Sequence, residues 1–225
     1  MQKNKSTTQA QLAYGLIRDK ILSCQLLPAT KLNISAMAAQ YEVSLGAVRE
    51  ALSMLQSEFL TDFEPQRGYR VSAISRKDLI EITTARIAIE SLCLSSSIQK
   101  GDLNWETNIV AALHRLSHTF EREPANKRRL SDNWAQCHSA FHLSLVSACD
   151  NQWLLKMRYS LYEQSERYRR YSIPLAESQR DILFEHKQMA DAVLARNTPE
   201  ATSLLSDHLN ATTNILLRSN SLDLG

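Results

Sequence analysis

Glycine and proline are scarce in this sequence, whose 225 residues hold only 5 Gly and 5 Pro. Because these two residues mark most tight turns, their scarcity argues against a fold of many short strands and favours long helices. The chain is long enough for one large domain or two smaller ones, each with a hydrophobic core. Its composition, 44% hydrophobic and 22% charged, is ordinary for a globular protein.

Long apolar runs are also missing. No segment approaches the roughly 18 apolar residues of a membrane-spanning helix, and the first ten residues, MQKNKSTTQA, lack the apolar centre of a secretory signal. The cysteines Cys24, Cys93, Cys137 and Cys149 show no C-x-x-C spacing. We interpret them as small apolar residues rather than as a disulfide framework. We expect a cytoplasmic protein without a membrane partner.

Charge is distributed unevenly along the chain. Residues 1–77 hold ten Lys and Arg against six Asp and Glu, a net charge of +4. Residues 78–225 hold 16 against 18, a net charge of −2. A basic first third joined to a mildly acidic remainder is the pattern expected of a nucleic-acid-binding segment attached to a different kind of domain.

Apolar residues recur with helical spacing in three segments of the first third. Residues 8–23 predict a helix with Ala13, Leu16, Ile17 and Ile21 turned inward, and SAMAAQY predicts a short second helix. EVSLGAVREALSMLQSE predicts a third helix that begins after Ser44. FLTDF, the turn PQRG and YRVSAI then alternate like a hairpin. This order predicts a winged helix-turn-helix domain over residues 8–75.

The remainder of the chain shows helical periodicity, and we identify no convincing strand after Lys77. This pattern predicts a mainly α fold in which an all-helical bundle over residues 78–218 follows the winged helix-turn-helix. The predicted helices span residues 78–99, 104–122, 128–149, 152–171, 175–196 and 199–218.

Short motifs in both regions carry a family resemblance. VREAL at 48–52 and RGYRV at 67–71 lie in a run that resembles the DNA-binding domain of GntR-family bacterial transcription regulators. The helical remainder, with FH at 141–142, EH at 185–186 and HL at 208–209, resembles the FCD effector domain of the FadR subfamily. The resemblance covers residues 10–217. It implies a homodimer that binds double-stranded operator DNA and responds to a small organic acid.

This sequence departs from the family pattern at three positions that concern DNA. Pro28-Ala29 stands where the family usually has Pro-Gly, Ser44-Leu45 where it usually has Ser-Arg, and Ser35 where an arginine is common. Of three arginines that the family often uses against DNA, only Arg49 is kept. The operator sequence of this protein should therefore not be inferred from the operators of better-known relatives.

Arg49 is the leading candidate for reading bases, because it lies one turn inside the third helix on its exposed side. The alternative is a surface arginine that pairs with its neighbours Glu50 or Ser53 and has no function. Other candidates for contact with DNA are the helix start and the wing. They are Ser44, Leu45 and Gly46 near a phosphate, and Arg67 and Gly68 at the wing tip. Weaker candidates are Lys31, Gln66 and Arg70.

Four of the six histidines lie on the apolar faces of predicted helices. On a helical wheel, His138 and His142 lie near the face defined by Trp134 and Phe141, and His186 and His208 lie within apolar stripes of two later helices. His114 and His118 have the same i, i+4 spacing but fall on the opposite, wet face of their helix.

A single inward histidine is usually a hydrogen-bonded core residue. Four on three helices point instead to one divalent cation that satisfies all of them, His138, His142, His186 and His208. The resemblance implies a metal held by an Asp or Asn and three histidines, with His138 standing where the acid usually is. A site without a carboxylate favours zinc, or else nickel, over harder ions. The alternative is a site of three histidines that His138 does not join.

Arg86 also faces inward, beside Ile82, Ile89 and Cys93 on the wheel. A buried arginine needs an anion. That anion is either Glu90 one turn away, in an internal salt bridge, or the carboxylate of an effector bound jointly by the metal and Arg86. Arg169 and Tyr162 are further candidates for effector binding.

We therefore expect a ligand-responsive transcription regulator, a repressor of a catabolic operon that responds to a small organic acid such as a dicarboxylate. One alternative is a direct metal sensor with the same site residues. The other is a metalloenzyme, against which stand the absence of H-E-x-x-H and of a glutamate placed as a general base.

Overall fold

The computed structural model describes residues 7–123, 126–172 and 180–218, with the side chains of 126–129 and 172 left aside. The chain divides after Ser75 into two compact units. Unit 1 contains helices α1 to α3 and strands β1 and β2. Unit 2 contains helices α4 to α9 and strands β3 and β4.

Unit 1 consists of three helices and a hairpin, in the predicted order. Side chains of Thr8, Asn33 and Ser44 cap the three helices by accepting hydrogen bonds from backbone N–H groups in their first turns. The elements are α1 (Gln9–Leu22), α2 (Ile34–Tyr41), α3 (Leu45–Ser57), β1 (Thr61–Glu64) and β2 (Gly68–Val71).

The core of unit 1 lies between α1, α3 and the hairpin. Ile17 and Ile21 of α1 pack with Val48 and Leu52 of α3, and each is 0–1% exposed. The prediction was wrong for Leu16, whose side chain is 37% exposed. The buried face of α1 consists of Ala10, Ala13, Ile17 and Ile21, and Leu16 lies outside it.

The hairpin forms the predicted wing. Strands β1 and β2 pair antiparallel, with Thr61 opposite Val71. The backbone at Gln66 and Gly68 has positive φ values of 66° and 84°. Glycine takes this conformation without steric cost, and it closes the tight turn that presents Arg67.

Unit 2 is a bundle of long helices around one apolar core. Residues of α4 to α6, α8 and α9 meet in this core, including the fully buried Cys93, Ile109, Phe141, Val193 and Ala201. The helices are α4 (Arg76–Lys100), α5 (Leu103–Ser117), α6 (Asp132–Val146), α7 (Gln152–Ser172), α8 (Ile182–Leu194) and α9 (Thr198–Arg218). No helix among the described residues is both long enough and apolar enough to cross a membrane.

Unit 2 differs from the prediction between α5 and α6. Strands β3 (Arg122–Glu123) and β4 (Asn126–Leu130) pair antiparallel, so the expectation of no strand after Lys77 was wrong. The strands of this hairpin show no alternation of apolar and polar residues from which they could be predicted. Helix α5 ends at Ser117 rather than at 122. On the wheel of the longer predicted helix, Phe120 falls on the core face with Ile109, but its side chain is 78% exposed.

Helix α8 begins at Ile182, whereas the sequence predicted a helix that begins at residue 175. The Asp181 carboxylate accepts a hydrogen bond from the Phe184 N–H and so caps this helix. Residues 175–179 of the predicted helix lie outside the described residues.

Candidate functional site

Helix α3 presents one polar face and buries the other. The side-chain oxygen of Ser44 accepts a hydrogen bond from the Ala47 N–H at 3.2 Å and caps the helix. Ser44, Leu45, Gly46 and Arg49 are all exposed. Within the described part of the chain, Arg49 takes part in no hydrogen bond or ion pair, so the pairing with Glu50 or Ser53 that the sequence left open does not form.

The wing places its candidates at its tip and along its edge. Arg67 has a side chain that is 78% exposed and lies 3.3 Å from the Glu64 carboxylate. No atom lies within 4 Å of a side chain built at Gly68. Lys31 is exposed and forms an isolated antiparallel bridge with Arg70 of β2. Arg67 thus forms an exposed ion pair, whereas Arg49 forms none among the described residues.

The four inward histidines come together in unit 2. His138 and His142 lie on α6, His186 on α8 and His208 on α9, and their exposed fractions are 5%, 1%, 1% and 6%. One ligand atom from each lies within 4.8 Å of all the others. The predicted burial of these four side chains is therefore confirmed. The wheel was also right that His114 and His118 are exposed.

The Nε2 atoms of three histidines of the tetrad lie close together. Those of His138 and His142 are 3.1 Å apart, and those of His142 and His186 are 3.3 Å apart. Zinc–nitrogen bonds of about 2.0–2.1 Å in a tetrahedron place ligand atoms about 3.3–3.4 Å from one another. The two separations therefore suit a single ion held through Nε2 of His138, His142 and His186.

The outer Nδ1 atoms of the tetrad have unequal surroundings. Nδ1 of His138 lies 3.4 Å from the Tyr162 hydroxyl, and Nδ1 of His208 lies 2.8 Å from the Glu185 carboxylate. The Nδ1 atoms of His142 and His186 are buried without a hydrogen-bond partner.

Burial keeps the tetrad uncharged. Loss of hydration lowers the pKa values of His138, His142 and His186 well below the usual 6.5, and the neighbouring imidazoles lower them further. The pKa of His208 is also lowered by burial, although the Glu185 carboxylate opposes this. Neutral imidazoles keep a lone pair for a metal ion, so the donor set fits zinc or nickel.

Arg86 is buried and pairs with Glu90. Its Nε lies 2.5 Å from Glu90 Oε1, and its Nη1 donates to the Ser165 hydroxyl at 2.6 Å. The internal salt bridge, one of the two alternatives drawn from the sequence, is therefore present. Arg158 lies 3.7 Å from the same carboxylate. Two guanidinium groups thus share one buried carboxylate, and Nη2 of Arg86 has no hydrogen-bond partner.

The other two effector candidates lie nearby. Arg169 pairs with Glu166, stacks 5.0 Å from the Trp134 ring and leaves its Nη1 without a partner. Tyr162 lies 4.8 Å from the guanidinium carbons of both Arg86 and Arg158. Burial raises the pKa of Tyr162 to about 12, so its hydroxyl stays protonated.

A cavity, here called the effector cavity, connects these groups. Its volume is about 90 Å³, which is room for several water molecules. Tyr162 and His186 do not line it, and His186 borders a different cavity. Its ionisable walls are Arg86, Arg122, Arg169, Arg180, Glu121, His138, His142 and His208, and its apolar walls include Leu79, Trp134, Ile182, Leu209 and Leu216.

Arg180 is a residue of the site that the sequence did not reveal. It hydrogen-bonds to the Glu185 carboxylate, to Thr212 Oγ1 at 2.7 Å and to the backbone carbonyl of His208 at 2.9 Å. It precedes α8, so no helical periodicity points it inward. The only signal was its position shortly before the EH motif.

A winged helix-turn-helix and a helical unit with a buried cavity define the class of DNA-binding regulators with a ligand-binding domain. The sequence matches the description "Bacterial regulatory proteins, gntR family" over residues 9–71 and the FCD domain over residues 81–211. The chain belongs to the GntR family and carries an FCD domain. It is a DNA-binding transcriptional regulator and not an enzyme, and FCD domains often bind a metal ion.

Similar proteins agree with this assignment. The chain is 35% identical over 206 residues to the HTH-type transcriptional regulator BphR of Paraburkholderia xenovorans, covering 92% of this chain and 84% of that protein. It is 34% identical over 200 residues to the HTH-type transcriptional repressor GlaR of Escherichia coli, covering 87% and 90%.

Solved structures share the fold at lower identity. E. coli McbR/YncC superposes with a TM-score of 0.78 at 16% identity, covering 95% of this chain and 99% of that one. A GntR regulator from Rhodococcus sp. RHA1 gives a TM-score of 0.72 at 21% identity, covering 93% and 97%.

Proposed function

We propose that this regulator is a homodimeric repressor of a catabolic operon, and that a small organic acid bound beside a metal ion in the FCD domain controls its binding to the operator. The observation that carries this function is the effector cavity. It brings three neutral histidines, four arginines and one glutamate, Glu121, to one surface.

A metal ion suits the tetrad because it satisfies four buried imidazoles together. The residues that would hold it are His138, His142, His186 and His208. Zinc, or alternatively nickel, matches a set of nitrogen donors without a carboxylate. The bound ion would supply a positive charge that attracts an anionic ligand.

The arginines support an anionic effector. Nη2 of Arg86 and Nη1 of Arg169 are buried without hydrogen-bond partners, and both residues line the effector cavity. Guanidinium groups bind carboxylates through paired hydrogen bonds. The small volume and the apolar walls suit a short aliphatic chain, so a dicarboxylate could reach the ion with one end and an arginine with the other.

The operator would be read by α3 and the wing. Arg49 is the candidate for bidentate contact with a guanine edge, and Ser44, Leu45 and Gly46 lie where a phosphate can approach the helix start. In a dimer, two such helices would meet successive major grooves about one DNA turn apart. The effector would shift the population between arrangements that fit this spacing and arrangements that do not.

The effector role is tested by measuring operator binding of the metal-loaded protein while dicarboxylic acids of increasing chain length are added. We expect one acid to weaken operator binding. Arg169→Met should remove this response, whereas Arg170→Met should keep it, because Arg170 also pairs with Glu166 but does not line the cavity. If no acid changes operator binding, the effector role is refuted.

One observation favours a second candidate, in which the metal itself is the signal. Four histidines can complete a tetrahedral site without any further ligand. In that case a chelator alone releases the operator or restores its binding, and organic acids have no effect. Wild-type protein that binds neither zinc nor nickel would exclude both candidates.

A further inference from the structure

His208 lies between two groups that favour opposite tautomers. Its Nδ1 is 2.8 Å from Glu185 Oε2 and 3.1 Å from Arg180 Nη2. A carboxylate accepts a hydrogen bond and therefore favours a proton on Nδ1, while a guanidinium only donates and favours a lone pair there. A neutral imidazole has one N–H, so only one of these hydrogen bonds can form with Nδ1.

The choice decides whether His208 can bind a metal ion. With the proton on Nδ1, the lone pair is on Nε2 and is free for the ion. With the proton on Nε2, His208 cannot serve as a ligand through that atom. The N–H groups of Arg180 Nη2 already have acceptors in Glu185 Oε2 and the His208 carbonyl. The shorter contact, with the carboxylate, therefore forms the hydrogen bond to Nδ1.

We propose that Glu185 is a positioning residue of the metal site, which accepts the Nδ1–H of His208 and so selects the tautomer that presents Nε2 to the ion. Since this role presumes the metal of the proposed function, it deepens that function. Arg180 holds the carboxylate in place, yet it is also the donor that would stabilise the wrong tautomer if the carboxylate were absent. The Nδ1 atoms of His142 and His186 have no hydrogen-bond partner, so no outer group selects the tautomer of these two histidines.

The opposing effects of Glu185 and Arg180 give a specific expectation for their variants. In Glu185→Met, Arg180 donates to Nδ1, and zinc affinity falls by about 10- to 100-fold, the usual effect of removing an outer partner of a ligating histidine. In Glu185→Met with Arg180→Met, the opposing donor is gone and most of the affinity returns. A carboxylate with a merely structural role would not give this recovery.

Glu185→Gln keeps the shape of the side chain and an amide oxygen that can accept the Nδ1–H, so it should lose less affinity than Glu185→Met. Glu106→Met is the matched control, because Glu106 also pairs with an arginine, Arg196, but contacts no histidine. The control should bind zinc as the wild type does. Dissociation constants are measured by competition with a chelator, on the full chain.

A second measurement does not need the metal. Two-dimensional ¹⁵N spectra of metal-free protein should show His208 with its proton on Nδ1 in the wild type and in Glu185→Gln, and on Nε2 in Glu185→Met. Wild-type zinc affinity in Glu185→Met, no recovery in the double variant, or an Nε2–H tautomer in the wild type would each overturn the role of Glu185. If no added acid changes operator binding, the effector function is overturned, but the role of Glu185 in the metal site is not affected.

Discussion

His138 and His142 hold their ring centroids 4.5 Å apart on one turn of α6. The exposed pair His114 and His118 has the same spacing in the sequence and a centroid distance of 4.3 Å. The two pairs therefore have similar ring separations, with interplanar angles of 64° and 42°, and they differ chiefly in burial and in which other side chains lie around them. Around the buried pair, His186 and His208 complete a set of four donors.

This contrast predicts which histidines control metal content. His142→Ala and His186→Ala should abolish the tight zinc site, while His114→Ala and His118→Ala should leave it intact. Zinc should raise the melting temperature of the wild type and of the exposed-pair variants, because a ligand that binds only the folded state stabilises it. Metal analysis after dialysis, with melting curves, checks both expectations. Retention of one zinc per chain in His142→Ala and His186→Ala would refute the tetrad.

The sequence was sufficient to predict the tetrad because all four histidines lie on helices with clear apolar stripes. Helical periodicity fixes which way a side chain points whenever the helix is real at that position. It misplaced Phe120 because α5 has already ended at Ser117. A helical wheel predicts the direction of a side chain only for residues that are inside the helix, so it does not apply beyond the last helical residue.

Other features escaped prediction because no local pattern encodes them. Arg180 precedes its helix, and Arg158 shares Glu90 with Arg86 only because α7 packs against α4. The i, i+4 spacing of Arg86 and Glu90 offered their salt bridge as one of two alternatives, and the salt bridge is present. The β3–β4 hairpin was missed because its strands lack alternation.

Arg49 and Arg67 should affect DNA binding in different ways. Loss of a bidentate contact with a base in Arg49→Ala should cost about 1–3 kcal/mol and relax specificity at that base pair. Arg67→Ala should weaken binding to all sequences alike and reduce the salt dependence by about one counterion. Fluorescence anisotropy with operator and scrambled duplexes at several salt concentrations separates the two. Unchanged preference for the operator in Arg49→Ala would contradict the assignment of α3.

Glu90 should be essential for stability because it is the shared partner of two buried arginines. Glu90→Gln leaves Arg86 and Arg158 without their carboxylate, which should cost about 3–5 kcal/mol of unfolding free energy. Glu81→Gln is the matched control, since Glu81 also pairs four residues along α4, with the exposed Lys77. The control should leave the unfolding free energy nearly unchanged. Urea unfolding at pH 7 measures both.

The contribution of Glu90 should also depend on pH. Burial alone would raise the pKa of this carboxyl, but the charges of Arg86 and Arg158 outweigh burial and hold it below the ordinary 4.5. A carboxyl with a lowered pKa in the folded state stabilises the protein above pH 4.5, and this stabilisation is lost as the pH falls toward the folded-state pKa. The gap between wild type and Glu90→Gln should therefore shrink below pH 4.5. A gap that widens in acid would contradict the charge pairing.

Two glycines should respond to alanine in opposite directions. A Cβ at Gly101 would lie 2.0 Å from Cε3 of Trp105. That ring cannot easily move, because it is buried and its Nε1–H donates to the Ser144 carbonyl at 2.8 Å. Gly101→Ala should therefore destabilise unit 2 by about 1–3 kcal/mol.

Gly15 lies inside α1, and a Cβ there meets no atom within 4 Å. Alanine restricts the unfolded chain and favours the helix, so Gly15→Ala should stabilise unit 1 by about 0.5–1 kcal/mol. Differential scanning calorimetry of the full chain measures both variants. A Gly101→Ala protein as stable as the wild type would mean that the Trp105 ring has room to shift, since overpacking is the only cost that this substitution introduces there.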